Sequence, residues 1–337
     1  MNPPLRLGLI APKNTAAERE WLCSYLKGVR WGPYRRGGRY DVVWFLNVTE
    51  EARFLRRHTD ARLFVVGMEP RFKYPLNYDA ALLRLADVYS GYRNFAGESF
   101  RGRFLPFVFP AYPRDRLRAE FSLSLQARRD HAFCIMATHD PNIRRALAAA
   151  AAPHGCLAAG PLFGARFDDK FAVQRRARYE LITENDITEY YVSEKLAAAL
   201  AAGCVPVYYG GTDARTLAPE SLFVDMRRFP GPDGRPDIGA VIAHCLAPGV
   251  YERHAAAVRE QALDILLKRF SIESCLIEPL QTYLDGIQAE GWRSRRRSII
   301  WRVYAARAGV AAARRRLLAQ TEDSPASAAA PSDSGAP

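Results

Sequence analysis

The chain has 337 residues and a hydrophobic content of 49%; a length above that of a typical single core predicts two folded domains. Its apolar runs are far shorter than a membrane span, which argues against a membrane-spanning protein. The formal net charge of +12 permits a nucleic-acid partner, but no RNA-recognition or helix-turn-helix motif accompanies the basic residues. A non-catalytic, basic nucleic-acid- or glycan-binding protein is therefore a remote alternative.

Four short apolar runs in the first half predict strands at 5–10, 41–46, 63–67 and 88–90. Helical or loop segments separate them, which predicts an amino-terminal α/β domain over residues 1–128. The chain enters the first strand without the apolar segment of a signal peptide, so we expect a cytoplasmic location.

One carboxylate in this half stands at a predicted strand end. Met68-Glu69-Pro70 follows the strand at 63–67 and precedes a loop limited by proline. From the residues alone, Glu69 is either a solvated loop glutamate or a group that points into a cleft.

The second domain is predicted over residues 129–290, where strands and helices alternate again and a fresh strand begins at 131–137. A polar turn follows that strand and leads to Arg144 at the start of an Ala-rich helix, where it would face a cleft. A guanidinium can bind two phosphate oxygens at once. Arg145 is the rival by one position, and two solvated helix arginines are the alternative.

The most informative stretch is 178–211, which predicts a strand, a loop, a helix and a second strand. The first strand ends at Glu184-Asn185, and polar groups at the carboxyl ends of strands in α/β sheets point into ligand-binding crevices. Ser193 is a candidate N-cap for a helix that stops at Gly203. The N–H groups of that helix start and Lys195 would suit a phosphate. The second strand, 204–209, closes with Gly210-Gly211, which would let the backbone approach a ligand.

In order and spacing, these segments closely resemble the signature of the α-1,3-fucosyltransferase family. In that family an aromatic-rich strand ends in Glu-Asn and is followed by Tyr-Val-Thr-Glu-Lys and then by Gly-x-Val-Pro-Val. This chain has Tyr191-Val192-Ser193-Glu194-Lys195 and Gly203-Cys204-Val205-Pro206-Val207. It departs from the pattern where Ser193 replaces Thr and where Thr183 replaces the usual Phe.

The resemblance implies a GT-B fold, in which two Rossmann-like domains face a cleft, with the acceptor bound by the first domain and GDP-fucose by the second. The implied reaction is inverting, metal-independent transfer of L-fucose from GDP-β-L-fucose to a hydroxyl of an N-acetylglucosamine-containing glycan, in an α-1,3 or α-1,4 linkage. The implied site comprises Glu69 as general base and six donor-binding residues: Arg144, Glu184, Asn185, Tyr191, Glu194 and Lys195.

Three alternatives stay open beside this interpretation. Another GT-B glycosyltransferase of surface polysaccharide assembly, using a different GDP- or UDP-sugar, would fit the same pattern. Tyr191 could be a buried core residue. Asp168-Asp169 could form a metal site, but Lys170 beside it and the lack of a third ligand favour a solvated loop pair. No metal or other cofactor is therefore expected.

The remaining cysteine and histidine residues suggest no further chemistry. Six cysteines lack the paired spacing of zinc or redox motifs and are predicted to be free, buried thiols. Six histidines likewise share no metal-ligand spacing.

The end of the chain is strongly basic. Nine arginines and no acidic residues occur within 292–320, and their interleaving with aromatic and aliphatic residues predicts a basic amphipathic helix at 291–320 that contacts an anionic membrane surface. A solubilising helix, or one packed on the enzyme, is the alternative. The Ser/Ala/Pro-rich segment 321–337 is predicted to be disordered.

Overall fold

A computed structural model describes most of the chain. The described residues are 3–11, 15–35, 38–47, 61–67, 74–79, 83, 86–91, 103–106, 112–140, 143–188, 191–289 and 306.

A parallel six-stranded sheet forms the first half of the molecule. Its strands are almost continuously apolar because neighbouring structure covers both faces of a parallel sheet. The strand order is β2-β1-β3-β4-β5-β6. The elements are β1 (Leu5–Ile10), α1 (Ala16–Ser24), β2 (Val29–Pro33), β3 (Val42–Leu46), β4 (Arg62–Val66), a 3-10 turn (Pro75–Tyr78), β5 (Val88–Gly91) and β6 (Arg103–Pro106).

The sequence around Thr15 explains why α1 begins where it does. The Glu18 backbone N–H donates to Thr15 Oγ1 at 3.2 Å, and the Thr15 N–H donates to Glu18 Oε2 at 2.7 Å. This reciprocal capping box satisfies two backbone donors that the first helical turn would otherwise leave unpaired.

A second parallel sheet has five strands in the order β11-β10-β9-β7-β8. Helices connect these strands as expected for parallel crossovers. The elements are α2 (Arg114–Ser124), β7 (His131–Met136), α3 (Arg144–Ala151), β8 (Cys156–Ala159), α4 (Lys170–Arg175), β9 (Ala177–Thr183), α5 (Glu194–Ala201), β10 (Val205–Tyr209), α6 (Ala214–Leu217), β11 (Val224–Asp225), α7 (Ile238–Leu246), α8 (Val250–Ile265), two π-helical turns (Leu266–Phe270 and Glu273–Ile277) and α9 (Glu278–Ala289).

Each sheet has its own hydrophobic core. Two helices pack against a different sheet from the one to which the predicted domain limits assign them. Leu117 and Phe121 of α2 belong to the core of the second sheet, although the predicted first domain extended to residue 128. Leu280 and Leu284 of α9 pack against the first sheet, although the predicted second domain extended to residue 290. Sequence periodicity shows that these helices bury an apolar face, but it does not show which sheet receives that face.

The chain passes between the two cores at two neighbouring points. Tyr112 and Ser271 form an isolated parallel bridge, and the Ile272 N–H donates to the Tyr112 carbonyl at 3.0 Å. Beyond this point the chain returns to the first sheet, where Gln281 bonds both the N–H of Lys27, at 2.8 Å, and its carbonyl, at 3.2 Å.

The predicted fold class is confirmed: two parallel α/β sheets, each with its own core, make up the described part of the chain. The predicted basic helix at 291–320 and the predicted disordered tail at 321–337 lie outside the described residues, apart from Ala306. No helix among the described residues is long and apolar enough to cross a membrane.

Candidate active site

The site residues of the second domain gather where the strand order of its sheet reverses. From β7 the chain moves outward to β8, and it then returns to place β9 on the other side of β7. The carboxyl ends of β7 and β9 therefore border a topological switch point, which is where open α/β sheets bind ligands.

Arg144 spans this switch point. Its Nη1 donates to the His139 carbonyl after β7 at 2.7 Å, and its Nη2 donates to the Thr183 carbonyl at the end of β9 at 2.7 Å. Nε bonds Thr183 Oγ1 at 2.8 Å, and Nη2 also bonds Asn185 Oδ1 at 2.8 Å. These contacts use four of the five guanidinium N–H groups, which leaves one on Nη1 for a ligand.

The guanidinium of Arg144 is almost fully buried, at 3% exposure. Burial lowers its pKa, and the nearby carboxylates of Glu184 and Asp140 oppose that shift. Its direct hydrogen-bond partners are neutral oxygens, so within the described residues the cation has no carboxylate in ion-pair contact. A buried cation of this kind strengthens the attraction of the crevice for an anion.

Asp140 holds the backbone of two neighbouring arginines at the start of α3. Its carboxylate accepts hydrogen bonds from the backbone N–H groups of Arg144, at 2.9 Å, and Arg145, at 3.3 Å, and so caps the start of α3. Arg145 is exposed, and its one ion pair within the described residues is with Asp140, at 3.9 Å. The structure therefore brings Arg144, and not its rival, to the switch point.

Glu184 is the centre of the site and is completely buried. Its Oε1 accepts from the Ser193 N–H at 2.8 Å and from the Tyr208 hydroxyl at 3.2 Å. Its Oε2 contacts Lys195 Nζ at 2.9 Å and Ser193 Oγ at 2.7 Å. A buried carboxylate with this many donors is fixed in position.

Lys195 lies at the start of α5, where the predicted N-cap is confirmed: the side chain of Ser193 accepts from the Lys195 backbone N–H. The Lys195 ammonium contacts Ser193 Oγ as well as Glu184, and its side chain keeps 22% exposure. The positive end of the helix dipole and this ammonium thus occupy the same place, which favours a bound anion.

Glu194 is the first residue of α5. Burial alone would raise its pKa, but Lys195 and Lys170 reverse the shift and hold the pKa of this carboxyl below its usual range. Glu194 is therefore an ionised acceptor beside the helix start, suited to the hydroxyl groups of a bound ligand.

Gly210 has a packing role that was not predicted from the sequence. A Cβ atom at this position would lie 2.4 Å from the Tyr208 hydroxyl and 2.6 Å from Glu184 Cγ. The missing side chain therefore makes room for the Glu184 cluster. Tyr208 completes that cluster and was not predicted as a site residue. The signal that the sequence offered for it was its alternating position in an apolar strand.

Arg227 is a further cation that the sequence analysis missed. It follows β11, its Nε donates to the Gly210 carbonyl at 3.1 Å, and its guanidinium carbon lies 5.5 Å from the centre of the Tyr209 ring. The basic pair after a short strand, at the carboxyl edge of a parallel sheet, was the signal that could have found it.

Tyr191 is buried and packs with the core of the first sheet. It thus ties the loop between β9 and α5 to the first domain. Glu69, the predicted general base, lies outside the described residues. Gly67, two residues before Glu69, stands at the carboxyl end of β4, and Asn77 packs against this glycine. The amide of Asn77 donates to Asn47 Oδ1 at 2.8 Å.

The Asp168-Asp169 pair and the cysteines can be compared with their predicted roles. Asp169 accepts from the Phe171 N–H at 2.9 Å and caps α4, which gives the Asp168-Asp169 pair a local role. In the described ranges no group of three His, Cys, Asp or Glu side chains is arranged to hold a metal ion. All six cysteines are free thiols, as predicted, and Cys156 is the one that is not fully buried.

Comparison with known proteins bears directly on this site. Residues 165–234 match the model of the carboxyl-terminal domain of glycosyltransferase family 10, the fucosyltransferases. No curated protein matches the chain.

Solved structures resemble the whole fold. An α1,3-fucosyltransferase structure has 16% identity and a TM-score of 0.59, covering 89% of this chain and 92% of that chain. One solved with GDP has 14% identity and a TM-score of 0.55, covering 87% and 92%. One solved with GDP-fucose has 16% identity and a TM-score of 0.52, covering 76% and 82%. At these identities the likeness shows the fold.

The two-sheet fold, with an anion-suited crevice at its switch point, is of the GT-B class. The family match is more specific. The match of residues 165–234 to glycosyltransferase family 10, the fucosyltransferases, confirms for this segment the family predicted from the sequence.

Proposed function

We propose that the protein transfers L-fucose from GDP-β-L-fucose to a hydroxyl of an N-acetylglucosamine-containing glycan, with inversion and without a metal ion. The observation that carries this proposal is the pairing of Lys195 with the buried Glu184 at the switch point. This pair places a partly exposed cation at a helix start within the segment that matches the fucosyltransferase family.

The donor diphosphate would bind over the start of α5. Lys195 and the remaining N–H of Arg144 supply positive charge there, and Asn185 is oriented by its bond to Arg144. Glu194 would accept hydrogen bonds from ribose or fucose hydroxyls. Tyr191 would act from its buried position by holding the loop that carries these groups.

In the proposed reaction Glu69 accepts the proton of the acceptor hydroxyl, and the oxygen attacks the anomeric carbon from the face opposite to GDP. The bond from that carbon to the β-phosphate oxygen breaks, GDP leaves, and an α-linked product forms. Fixed cations near the leaving oxygen stabilise its developing charge without reorganisation. We assign these cations to Lys195 and Arg144, in place of a divalent ion.

The acceptor class, the α-1,3 or α-1,4 linkage and the place of action rest on the sequence resemblance. We propose a surface polysaccharide or lipid-linked oligosaccharide as acceptor, met at the inner face of a membrane that the basic segment 292–320 contacts. A GT-B enzyme that uses another GDP- or UDP-sugar is the second candidate, because the same cations would bind any nucleoside diphosphate.

Calorimetric titration with GDP, GDP-fucose, GDP-mannose and UDP-sugars, in the presence of a chelator, tests the donor assignment. We expect GDP and GDP-fucose to bind selectively without a metal. Selective binding of GDP-mannose or of a UDP-sugar would instead favour the second candidate. No binding of guanine nucleotides would overturn the proposal.

A further inference from the structure

A second pocket lies at the opposite edge of the sheet that carries the candidate active site. It has a volume of about 280 Å³, and its lining includes Arg129, Arg178, Arg259 and Tyr251. Arg129 precedes β7, and Arg178 is near the start of β9. The pocket is therefore at the amino edge of the strands, whereas Glu184 and Arg144 lie at the carboxyl edge.

The three arginines of this pocket differ in what holds them. Arg129 is fixed by the backbone: its Nη1 donates to the Ala177 carbonyl at 2.7 Å and its Nη2 to the Ala202 carbonyl at 2.9 Å. Arg178 and Arg259 are exposed, and neither makes a hydrogen bond or ion pair with any described residue. Arg178 and Arg259 therefore lack a counter-ion among the described residues. The third arginine, Arg129, is bound only by neutral carbonyl groups.

Tyr251 is the common neighbour of these cations. The guanidinium carbon of Arg178 lies 5.3 Å from the centre of its ring. Burial raises the pKa of the Tyr251 hydroxyl, while Arg129, Arg178 and Arg259 all act to lower it. Positive charge from three elements therefore converges on one aromatic residue, whose hydroxyl is a further donor for a bound oxyanion.

The pocket is also shaped by a glycine. Gly203 has a φ of +62°, and a Cβ atom there would lie 2.6 Å from Ser124 Oγ and 2.7 Å from Arg129 Nη2. A side chain at this position would displace the arginine that the backbone holds in place. Gly203, which ends α5 as a left-handed cap, therefore also preserves the floor of the pocket.

Acidic residues do not neutralise this charge. Glu252 lines the adjoining pocket, which shares Arg178 and Tyr251 with the first one, and it makes no ion pair with a described residue. Several guanidinium groups without carboxylate partners are suited to an anion that can accept two hydrogen bonds from each, which a phosphate group does.

We propose that this pocket is a phosphate-binding site, separate from the donor site, which holds the phosphate group of a second ligand. A free phosphate ester or a lipid headgroup would supply the same chemistry. Leu125 lines the pocket, Leu246 lines the adjoining one, and both are among the large apolar side chains that are exposed. A lipid surface would cover these two leucines, whereas a free ester would leave them in water.

The test compares the full chain with an Arg178→Gln/Arg259→Gln double variant. Both arginines are exposed and lack polar partners, so we expect the double variant to keep the melting temperature of the wild type. Arg253→Gln, an exposed arginine on the same helix outside the pocket lining, is the matched control. Inorganic phosphate is titrated first, and vesicles of phosphatidylcholine with and without phosphatidylglycerol are used in the second arm.

Weaker phosphate binding by the double variant, by about tenfold or more, with the control unchanged, would support the site and a free ligand. If phosphate binding is equal in all three proteins but the double variant binds anionic vesicles more weakly than the control does, the site holds a lipid phosphate; the basic segment 292–320 is present in every protein and contributes equally to each. Both arms leave the donor site intact, so phosphate bound there contributes equally to every protein. The proposal is overturned if all three proteins bind equally in both arms. It is also overturned if the Arg253→Gln control loses as much binding as the double variant.

Discussion

Lys195 Nζ lies 2.9 Å from Oε2 of Glu184, and this contact joins the tip of β9 to the start of α5. The carboxylate is fully buried while the lysine side chain is partly exposed. The pair thus presents positive charge to the crevice and keeps the compensating negative charge beneath it. Such a pair is costly to break because one ion would be left in a poorly solvated place.

We expect Glu184→Gln to lower the free energy of unfolding by about 2–3 kcal/mol, at the low end for a broken buried pair because Lys195 is partly solvated. Urea denaturation measures this change. Asp233→Asn is the matched control: Asp233 forms an exposed pair with Arg235 at 3.9 Å, and its loss should cost under about 1 kcal/mol. Equal losses in both variants would show that the Glu184 contacts contribute nothing special to stability.

Lys195→Ala and Glu194→Ala should each weaken donor binding, Lys195→Ala by about tenfold or more because a charged phosphate contact is removed. Calorimetry with GDP and GDP-fucose separates the two variants. Lys195→Ala should weaken the binding of both ligands, whereas Glu194→Ala should weaken the recognition of ligand hydroxyl groups. Lys268→Ala serves as control, since Lys268 is exposed and pairs with Asp264 on the surface. Wild-type affinity in the Lys195 variant would remove this residue from the site.

Glu69→Ala should keep GDP binding and lower turnover by about 10²- to 10⁴-fold, the usual contribution of a general base. Single-turnover transfer and GDP titration on the same preparation measure the two quantities. Normal transfer by this variant would contradict the assignment of Glu69.

Glu180→Gln should change how stability depends on pH. Burial raises the pKa of Glu180 to about 7 from an ordinary 4.5. Gln174 Nε2 donates to Glu180 Oε2 at 2.7 Å, while Gln174 Oε1 has no hydrogen-bond partner among the described residues. A protonated Glu180 can supply that missing hydrogen bond. The folded protein therefore binds this proton more tightly than the unfolded chain, and its stabilising effect is complete below about pH 4.5 and lost as the pH rises to about 7.

The variant lacks this titration, so its stability relative to the wild type should rise by about 3 kcal/mol between those pH values, an upper figure for a full shift of the pKa. Urea denaturation at a series of pH values measures the difference. Parallel curves for the two proteins would rule out a raised pKa at Glu180.

Truncation after Gly291 should release the protein from anionic vesicles and leave transfer to a soluble acceptor largely intact, because the nine arginines of 292–320 would be absent. Vesicle sedimentation checks this prediction. Retention of the shortened protein on the vesicles would place the membrane contact elsewhere.

Local helix caps and four of the six strands in the first sheet could be predicted closely from the sequence, because they depend on neighbouring residues; the edge strands β2 and β6 were not predicted. The strand predicted at 5–10 has those limits in the structure, and Ser193 caps α5 as expected. Glu184 and Asn185 were found at the strand tip because the chemistry of parallel sheets places polar ligand groups there.

Contacts between distant elements could not be predicted in the same way. Tyr208 reaches Glu184 across neighbouring strands, and Arg227 reaches the Gly210 carbonyl from the turn after β11. The sequence signals for these two residues, a position in an apolar strand and a basic pair after a short strand, are shared with ordinary core and surface residues. Arg144 was placed correctly at a helix start, but its use of backbone carbonyls depends on how β7 and β9 are paired.

The return of α9 to the first sheet makes that domain discontinuous along the chain. Its core is completed by Leu276, Leu280, Leu284 and Ile287, which follow the whole second domain in sequence. A fragment that ends near residue 111 would expose the apolar surface that these side chains cover, and we expect it to aggregate. A soluble version of the first domain would have to join residues 3–111 to 272–289, across the point where Tyr112 and Ser271 already lie side by side.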